Sequence, residues 1–297
     1  MNARGFDLLV LGIGVAAVST AAILIREADA PTIVIAAYRL GLASLPLLAL
    51  AGLRRGRGLP SSGDVIALMA LSGVFLALHF GFWVASVKQT SILTSVVLVT
   101  TTPLFVGVIG GPLLGERPGR TIWLAMSVAA LGTLLMVSED LDAGGDTLTG
   151  DILALLGAVF AAGYIMTGRR VLGASPDWLP YVTVAYSTAA VLLLCAALLS
   201  GRGLTGYPSS TYALLVALAV VPQLIGHTAV NRSLGRLPAI VVSLAILGEP
   251  VGATILAAVF LDEEPTLTQL AGGLVVLTGV ALGVRGNISS VPVLAPD

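Results

Sequence analysis

Charge is what this sequence has least of. Asp, Glu, Lys and Arg make up 10% of its 297 residues and apolar residues 57%, whereas a soluble domain carries about 25% charged residues. That shortage excludes a water-soluble globule, because a chain of this length cannot cover its own surface with polar groups. The few charges nearly cancel, to a net charge of -1. No cluster of Lys and Arg is large enough to hold a nucleic-acid backbone, so nucleic acid is excluded as a partner. The lone cysteine, Cys195, excludes an intramolecular disulfide and a cysteine metal site. Catalytic signatures are missing too. There is no His-Glu-x-x-His metal motif, no Gly-x-Ser-x-Gly elbow and no phosphate-binding P-loop. Without a nucleotide site the chain does not itself use ATP, and no cofactor or metal is implied.

Long apolar runs are what is present. A membrane-spanning helix needs about 20 mostly apolar residues. Runs of that kind lie near 7–26, 33–53, 64–87, 92–115, 120–138, 151–172, 179–200, 211–234, 239–261 and 268–285, ten in all. They are continuous rather than alternating, which excludes strands of a barrel, and in lipid a helix satisfies its own backbone. The expected fold class is therefore an all-α integral membrane protein of ten transmembrane helices. The first run, Leu8 to Ile25 behind Arg4, reads as a retained helix rather than a cleaved signal, because similar runs follow it. If the N-terminus is cytoplasmic, eleven basic residues fall at inner ends (Arg4, Arg54, Arg55, Arg57, Arg117, Arg120, Arg169, Arg170, Arg232, Arg236, Arg285) and three at outer ends (Arg26, Lys88, Arg202). The positive-inside rule then sets both termini inside.

The chain also repeats itself. Shifted by 147 residues, Pro103 meets Pro250, Glu116 meets Glu263, Pro118 meets Pro265 and Gly132 meets Gly279; one residue of slip brings Tyr38 onto Tyr186 and His79 onto His227, the two histidines of the chain. Residues 1–147 and 148–285 thus read as two five-helix repeats, with 286–297 a short cytoplasmic tail. Five is odd, so the second half must cross the membrane inverted relative to the first. Inverted repeats are a recurrent plan of secondary transporters, with the substrate near the midplane between the halves.

The segments Thr102-Pro103-Leu104, Leu114-Gly115-Glu116-Arg117 and Gly132, with their counterparts Glu249-Pro250-Val251, Leu261-Asp262-Glu263-Glu264 and Gly279, resemble the two EamA repeats of the drug/metabolite transporter superfamily. The resemblance implies a ten-helix carrier of small metabolites, embedded in the inner (plasma) membrane of a bacterium. It also implies alternating access, with export of amino acids as the expected activity. The length, and the aromatic and histidine residues of the third span, are similar to the YddG-type exporters of aromatic amino acids. One departure is Asp262, which stands where the first half has Gly115.

Polar groups inside a membrane are costly and face a cavity or a neighbouring helix. Gln223, His227 and Asn231 recur every fourth residue, which predicts a polar face along the eighth span. They read either as a lining or as interhelical glue, with Asn231 the weakest as a substrate contact. Phe75, His79 and Trp83 form a second stripe, in which a His/Trp face could stack a planar substrate. Tyr38 falls at a compatible depth in the second span, and inversion gives Tyr186 and His227 matching depths from the other surface. The expected substrate-binding set is thus Tyr38, His79, Trp83, Tyr186, Gln223 and His227. Arg39 could hold a substrate carboxylate, although snorkelling to the outer interface is the simpler reading. Glu249, at mid-membrane, is a candidate for proton coupling or for a substrate amine. Pro103 and Pro250 are expected to bend their spans, and Glu116 and Glu263 to cap helix ends. An intramembrane lipid enzyme using His79, His227 and Glu249, or a non-transporting scaffold, are the competing readings.

Overall fold

The computed structural model describes residues 3–54, 62–115, 118–138, 147–175, 177–260 and 266–286. Glu116 and Glu263 lie outside the described residues, as does the tail after residue 286. All secondary structure among the described residues is helical. We number the ten membrane helices in chain order. α1 is formed by Ala3–Val18 and Ala21–Glu27; α2 is Thr32–Leu53, and α3 is Gly63–Val87. α4 consists of α4a (Ile92–Val99) and α4b (Thr102–Leu114), followed by α5 (Arg120–Val137). The second half has α6 (Thr147–Ala174), α7 (Trp178–Leu199) and α8, which joins Ser209–Leu218, Ala219–His227 and Thr228–Leu234. It ends with α9, made of α9a (Ala239–Ile246) and α9b (Glu249–Phe260), and α10 (Leu267–Gly286).

Eight of these helices are long and apolar enough to cross a membrane, and the apolar stretches of the other two, Arg120–Leu135 in α5 and Leu270–Gly283 in α10, are shorter. Large apolar side chains cover the outside: Leu45, Leu131, Leu134, Val191, Leu198, Phe260 and Leu274 are all more than half exposed. A surface of this kind is stable against lipid and not against water.

The packing has the symmetry of an inverted repeat. α2 packs on α7 and α5 on α10, each helix against its own counterpart, while α3 on α6 and α1 on α8 exchange when the halves are interchanged. Small residues set the closest crossing. A Cβ on Gly132 would stand 2.6 Å from the backbone N of Val276, and one on its counterpart Gly279 would stand 2.7 Å from the backbone N of Ala129. Neither backbone can retreat without parting α5 from α10.

Two breaks occupy equivalent places. α4 stops at Val99 and restarts at Thr102; α9 stops at Ile246 and restarts at Glu249. In α4 three hydroxyls satisfy the backbone around the break: Thr100 donates to the carbonyl of Val97 (2.9 Å), Thr101 to Leu98 (2.7 Å) and Thr102 to Val99 (2.8 Å). Pro103 and Pro250 therefore do not bend continuous helices as expected. Each is the second residue of a restarted segment, where a missing N–H removes no intrahelical bond. The third departure is in α8, where Ala219–His227, with Pro222 inside it, is a π-helix. Its i→i+5 bonding disrupts the four-residue register that the sequence predicted for Gln223, His227 and Asn231.

Gly132→Val should lower the melting temperature of the detergent-solubilised protein, at a cost of about 1–3 kcal/mol for overpacking. Gly41→Ala, where an added Cβ meets nothing within 4 Å, should not. Equal melting of the two variants would contradict the α5–α10 crossing.

Candidate functional site

Arg39 sits one and a half to two turns into α2 and is 0% exposed. Its side chain does not snorkel to an interface, as the simpler sequence reading held, but turns into the bundle. Its Nε donates to Gln223 Oε1 of the α8 π-helix at 2.9 Å. The guanidinium carbon lies 4.0 Å from the ring centroid of Phe80 and 5.8 Å from that of Trp83, both on α3. Nη1 and Nη2 have no hydrogen-bond partner among the described residues. Thus one edge of the guanidinium is fixed by Gln223 and one face by an aromatic ring, while the donors best suited to a bidentate carboxylate stay free.

Those donors belong to a cavity of about 50 Å³ enclosed by both halves, whose lining includes Arg39, His79, Trp83, Tyr164, His227 and Glu249. This is room for roughly three or four waters, so a metabolite would enter only as the helices part. His79 and His227, counterparts under the inverted repeat, meet here with ring centroids 6.5 Å apart. His79 stacks on Trp83 at 6.0 Å with 7° between planes. Its Nδ1 is 3.0 Å from the carbonyl of Gly157; a carbonyl only accepts, so Nδ1 carries the hydrogen and Nε2 is the nitrogen left over. Thr102 and Glu249, the first residues of α4b and α9b, both line the cavity. The restarted helices therefore begin at it, and helix N-termini present free N–H groups and positive dipole ends.

The structure brings together Arg39, His79, Trp83, His227 and Glu249, and places the other expected residues elsewhere. Tyr38 faces away from the cavity: its hydroxyl donates to the carbonyl of Leu204 at 2.8 Å and its ring meets Tyr212 at 6.1 Å. Adjacent helical residues are about 100° apart, so Tyr38 and Arg39 cannot share a face. Tyr186 is buried and accepts from Asn231 Nδ2 at 3.1 Å, as Tyr164 does at 2.6 Å. Gln223 is buried and accepts from Arg39 through its Oε1. Phe75 packs on Phe160 at 6.4 Å. Sequence reasoning missed Phe80, Tyr164 and Thr102. Of these only Thr102 had a signal, its alignment with Glu249 at the 147-residue shift.

At each end of the bundle, cations bond to carbonyls at helix C-termini, which favour positive charge. Where α1 and α3 end, Lys88 Nζ donates to the carbonyls of Arg26 (2.7 Å) and Ala28 (2.9 Å), while Arg26 donates to that of Thr90. Where α6 and α8 end, Arg169 donates to the carbonyl of Leu234 at 3.0 Å. Inversion exchanges α1 with α6 and α3 with α8, so these ties are counterparts. Arg236 adds a 3.0 Å ion pair with Asp7 of α1.

The chain matches the family model described as EamA-like transporter family twice, over residues 6–138 and 148–285. It is 26% identical to the pseudopaline exporter of Pseudomonas aeruginosa over 87% of this chain and 89% of that one. To a probable amino-acid metabolite efflux pump of Salmonella typhimurium it is 28% identical, over 84% of this chain and 89% of that one. A solved crystal structure superposes with a TM-score of 0.78 over 97% of this chain and 100% of that chain, at 19% identity, a likeness of fold.

Tyr38→Phe keeps the ring and removes one hydrogen bond, worth about 1 kcal/mol. Flux per folded molecule, measured in proteoliposomes, should not change; a large loss would return Tyr38 to the site.

Proposed function

The chain belongs to the EamA-like transporter family, and we propose that it exports small carboxylate-bearing metabolites, amino acids with aromatic or other apolar side chains among them, by alternating access. The observation that carries this reading is Arg39: a fully buried guanidinium with two unpaired nitrogens in a cavity shared by both halves. A charge in a membrane interior is tolerated where it pairs or serves a pathway, and a substrate carboxylate supplies the pairing. His79, Trp83 and His227 offer flat faces for the rest of the molecule. Export, rather than uptake, is supported by the two relatives, which are named as an exporter and an efflux pump.

The cycle follows from the symmetry. On this reading the two ties are the gates of the cavity, one at each end of the bundle. Releasing Lys88 and Arg26 would open it where α1 and α3 finish; releasing Arg169 would open it where α6 and α8 finish. Because the two halves are alike, each opening is the other's inverted copy. We place both termini in the cytoplasm, following the distribution of basic residues.

Flux of labelled amino acids into proteoliposomes tests the reading. Arg39→Gln removes a charge-assisted bond worth about 1.5–3 kcal/mol, so affinity for a carboxylate substrate should fall about ten- to hundredfold. Arg39→Lys should be only partly active, since an ammonium lacks the planar fork. If Arg39→Gln protein folds and transports normally, Arg39 is a structural group and the reading is wrong.

A further inference from the structure

The inverted repeat offers an internal control for every residue of the cavity. A group that the architecture requires should appear at its counterpart as well. The prolines after the breaks do so, as do the histidines and the close-packed glycines. Arg39 and Glu249 do not. At the 148-residue shift that aligns Tyr38 with Tyr186, Arg39 falls on Ser187; at the 147-residue shift that aligns Pro250 with Pro103, Glu249 falls on Thr102. Both counterparts are hydroxyls. The break in α4 is made with Thr102 at the position of Glu249, so a carboxylate is not needed to restart the helix. A serine serves in α7 where α2 carries a guanidinium. A guanidinium and a carboxyl group, one from each half, thus stand where the repeat itself carries hydroxyls.

Their arrangement matters as much as their presence. Glu249 is 7% exposed and lines the same cavity as Arg39. Yet it does not bond to Arg39, whose Nη1 and Nη2 both remain unpartnered. Two buried opposite charges that serve only each other would close into a hydrogen-bonded pair, because an unclosed pair keeps the desolvation cost and forgoes much of the attraction. Lining one cavity without bonding to each other, they suit a ligand that carries both charges. A bare carboxylate would neutralise Arg39 and leave two negative groups facing each other. A bare amine would do the reverse. A zwitterion pairs both walls at once and leaves the cavity neutral.

We infer that Glu249 binds the substrate's ammonium group while Arg39 binds its carboxylate, so that the carrier selects zwitterionic α-amino acids over simple carboxylates and amines. The inference rests on the carboxylate reading of Arg39. It makes Glu249 a specificity-determining residue and sets the ligand across the seam between the halves, where a rigid zwitterion would draw α2 and α9b toward each other.

Binding to the purified full-length carrier in detergent tests it, with three probes of one shape in each of two series: L-phenylalanine, hydrocinnamate and phenethylamine, and L-leucine, isocaproate and isopentylamine. At least one amino acid should bind the wild type about tenfold or more tighter than its matched acid and amine. Glu249→Gln should bring that amino acid down to the affinity of the acid and leave the acid no weaker. Arg39→Gln should bring it down to the affinity of the amine. Glu249→Asp, which keeps the charge, should retain part of the preference and guards against a misfolded Gln variant. Wild-type protein that binds acid and amino acid alike would overturn the role of Glu249 and leave that of Arg39 standing. Glu249→Gln protein that keeps the full preference, as a pure proton-coupling role would allow, would overturn it as well. Failure of both amino acids and both acids to bind would take down both readings together.

Discussion

A guanidinium whose Nη nitrogens have no partner among the described residues, buried inside a bundle that faces lipid, constrains everything placed around it. Removing an ion from water costs several kcal/mol even after the protein relaxes. Part of that cost is offset by the Gln223 bond at 2.9 Å and by the face of Phe80 at 4.0 Å, a desolvated cation–π contact worth about 2 kcal/mol. Gln223 lies in the π-helical part of α8 and Phe80 in α3, both of which pack against α2. Long-range attraction to Glu249 adds to these. None of them fills the Nη positions, and the space beside those positions is the cavity. On the proposed reading, a substrate carboxylate supplies the part of this charge's solvation that the fold leaves undone.

The same cavity is where the backbone is interrupted. Broken helices are tolerated in a membrane only where protein or a polar space satisfies the freed groups. Here the threonine hydroxyls of α4 do so, and α4b and α9b begin at the cavity. Both breaks fall at positions related by the repeat, so the two halves present N-terminal ends to one centre from opposite directions. The cationic ties at the ends of α1 and α3, and of α6 and α8, complete the pattern. The scaffold is symmetric, while the ionisable groups at the cavity are not, with Arg39 and Glu249 set against Ser187 and Thr102.

Much of the fold was legible because lipid imposes a length. The predicted spans 33–53, 64–87 and 239–261 coincide to within one residue with α2, α3 and α9. Hydropathy says how long a helix is, but not whether it is continuous. The breaks at Thr100 and Leu247 and the π-helix at 219–227 lie inside runs that are apolar enough to span as wholes, so hydropathy alone did not separate them from their helices. Hydropathy also says nothing about which way a residue faces. Counted along α2, Arg39 lies about 10 Å from the helix start, near enough an interface to suggest snorkelling, while its neighbour Tyr38 looked like the contact. The structure instead turns Arg39 into the cavity and bonds the Tyr38 hydroxyl to the carbonyl of Leu204. His79 and His227 were legible through the repeat, and they meet because inversion carries α3 onto α8. Phe80 carried no signal: a phenylalanine in an apolar helix is set apart only by the cation above it.

The central claim is that the free edge of Arg39 is where a substrate carboxylate sits, and an experimental structure with ligand bound tests it most directly. The carrier should be determined with the amino acid that raises its melting temperature most. The account predicts a widened cavity with two carboxylate oxygens about 3 Å from Nη1 and Nη2, the ligand lying between α2 and α9b. A bound ligand elsewhere in the bundle, with those two nitrogens still unpartnered or closed onto Glu249, would contradict it.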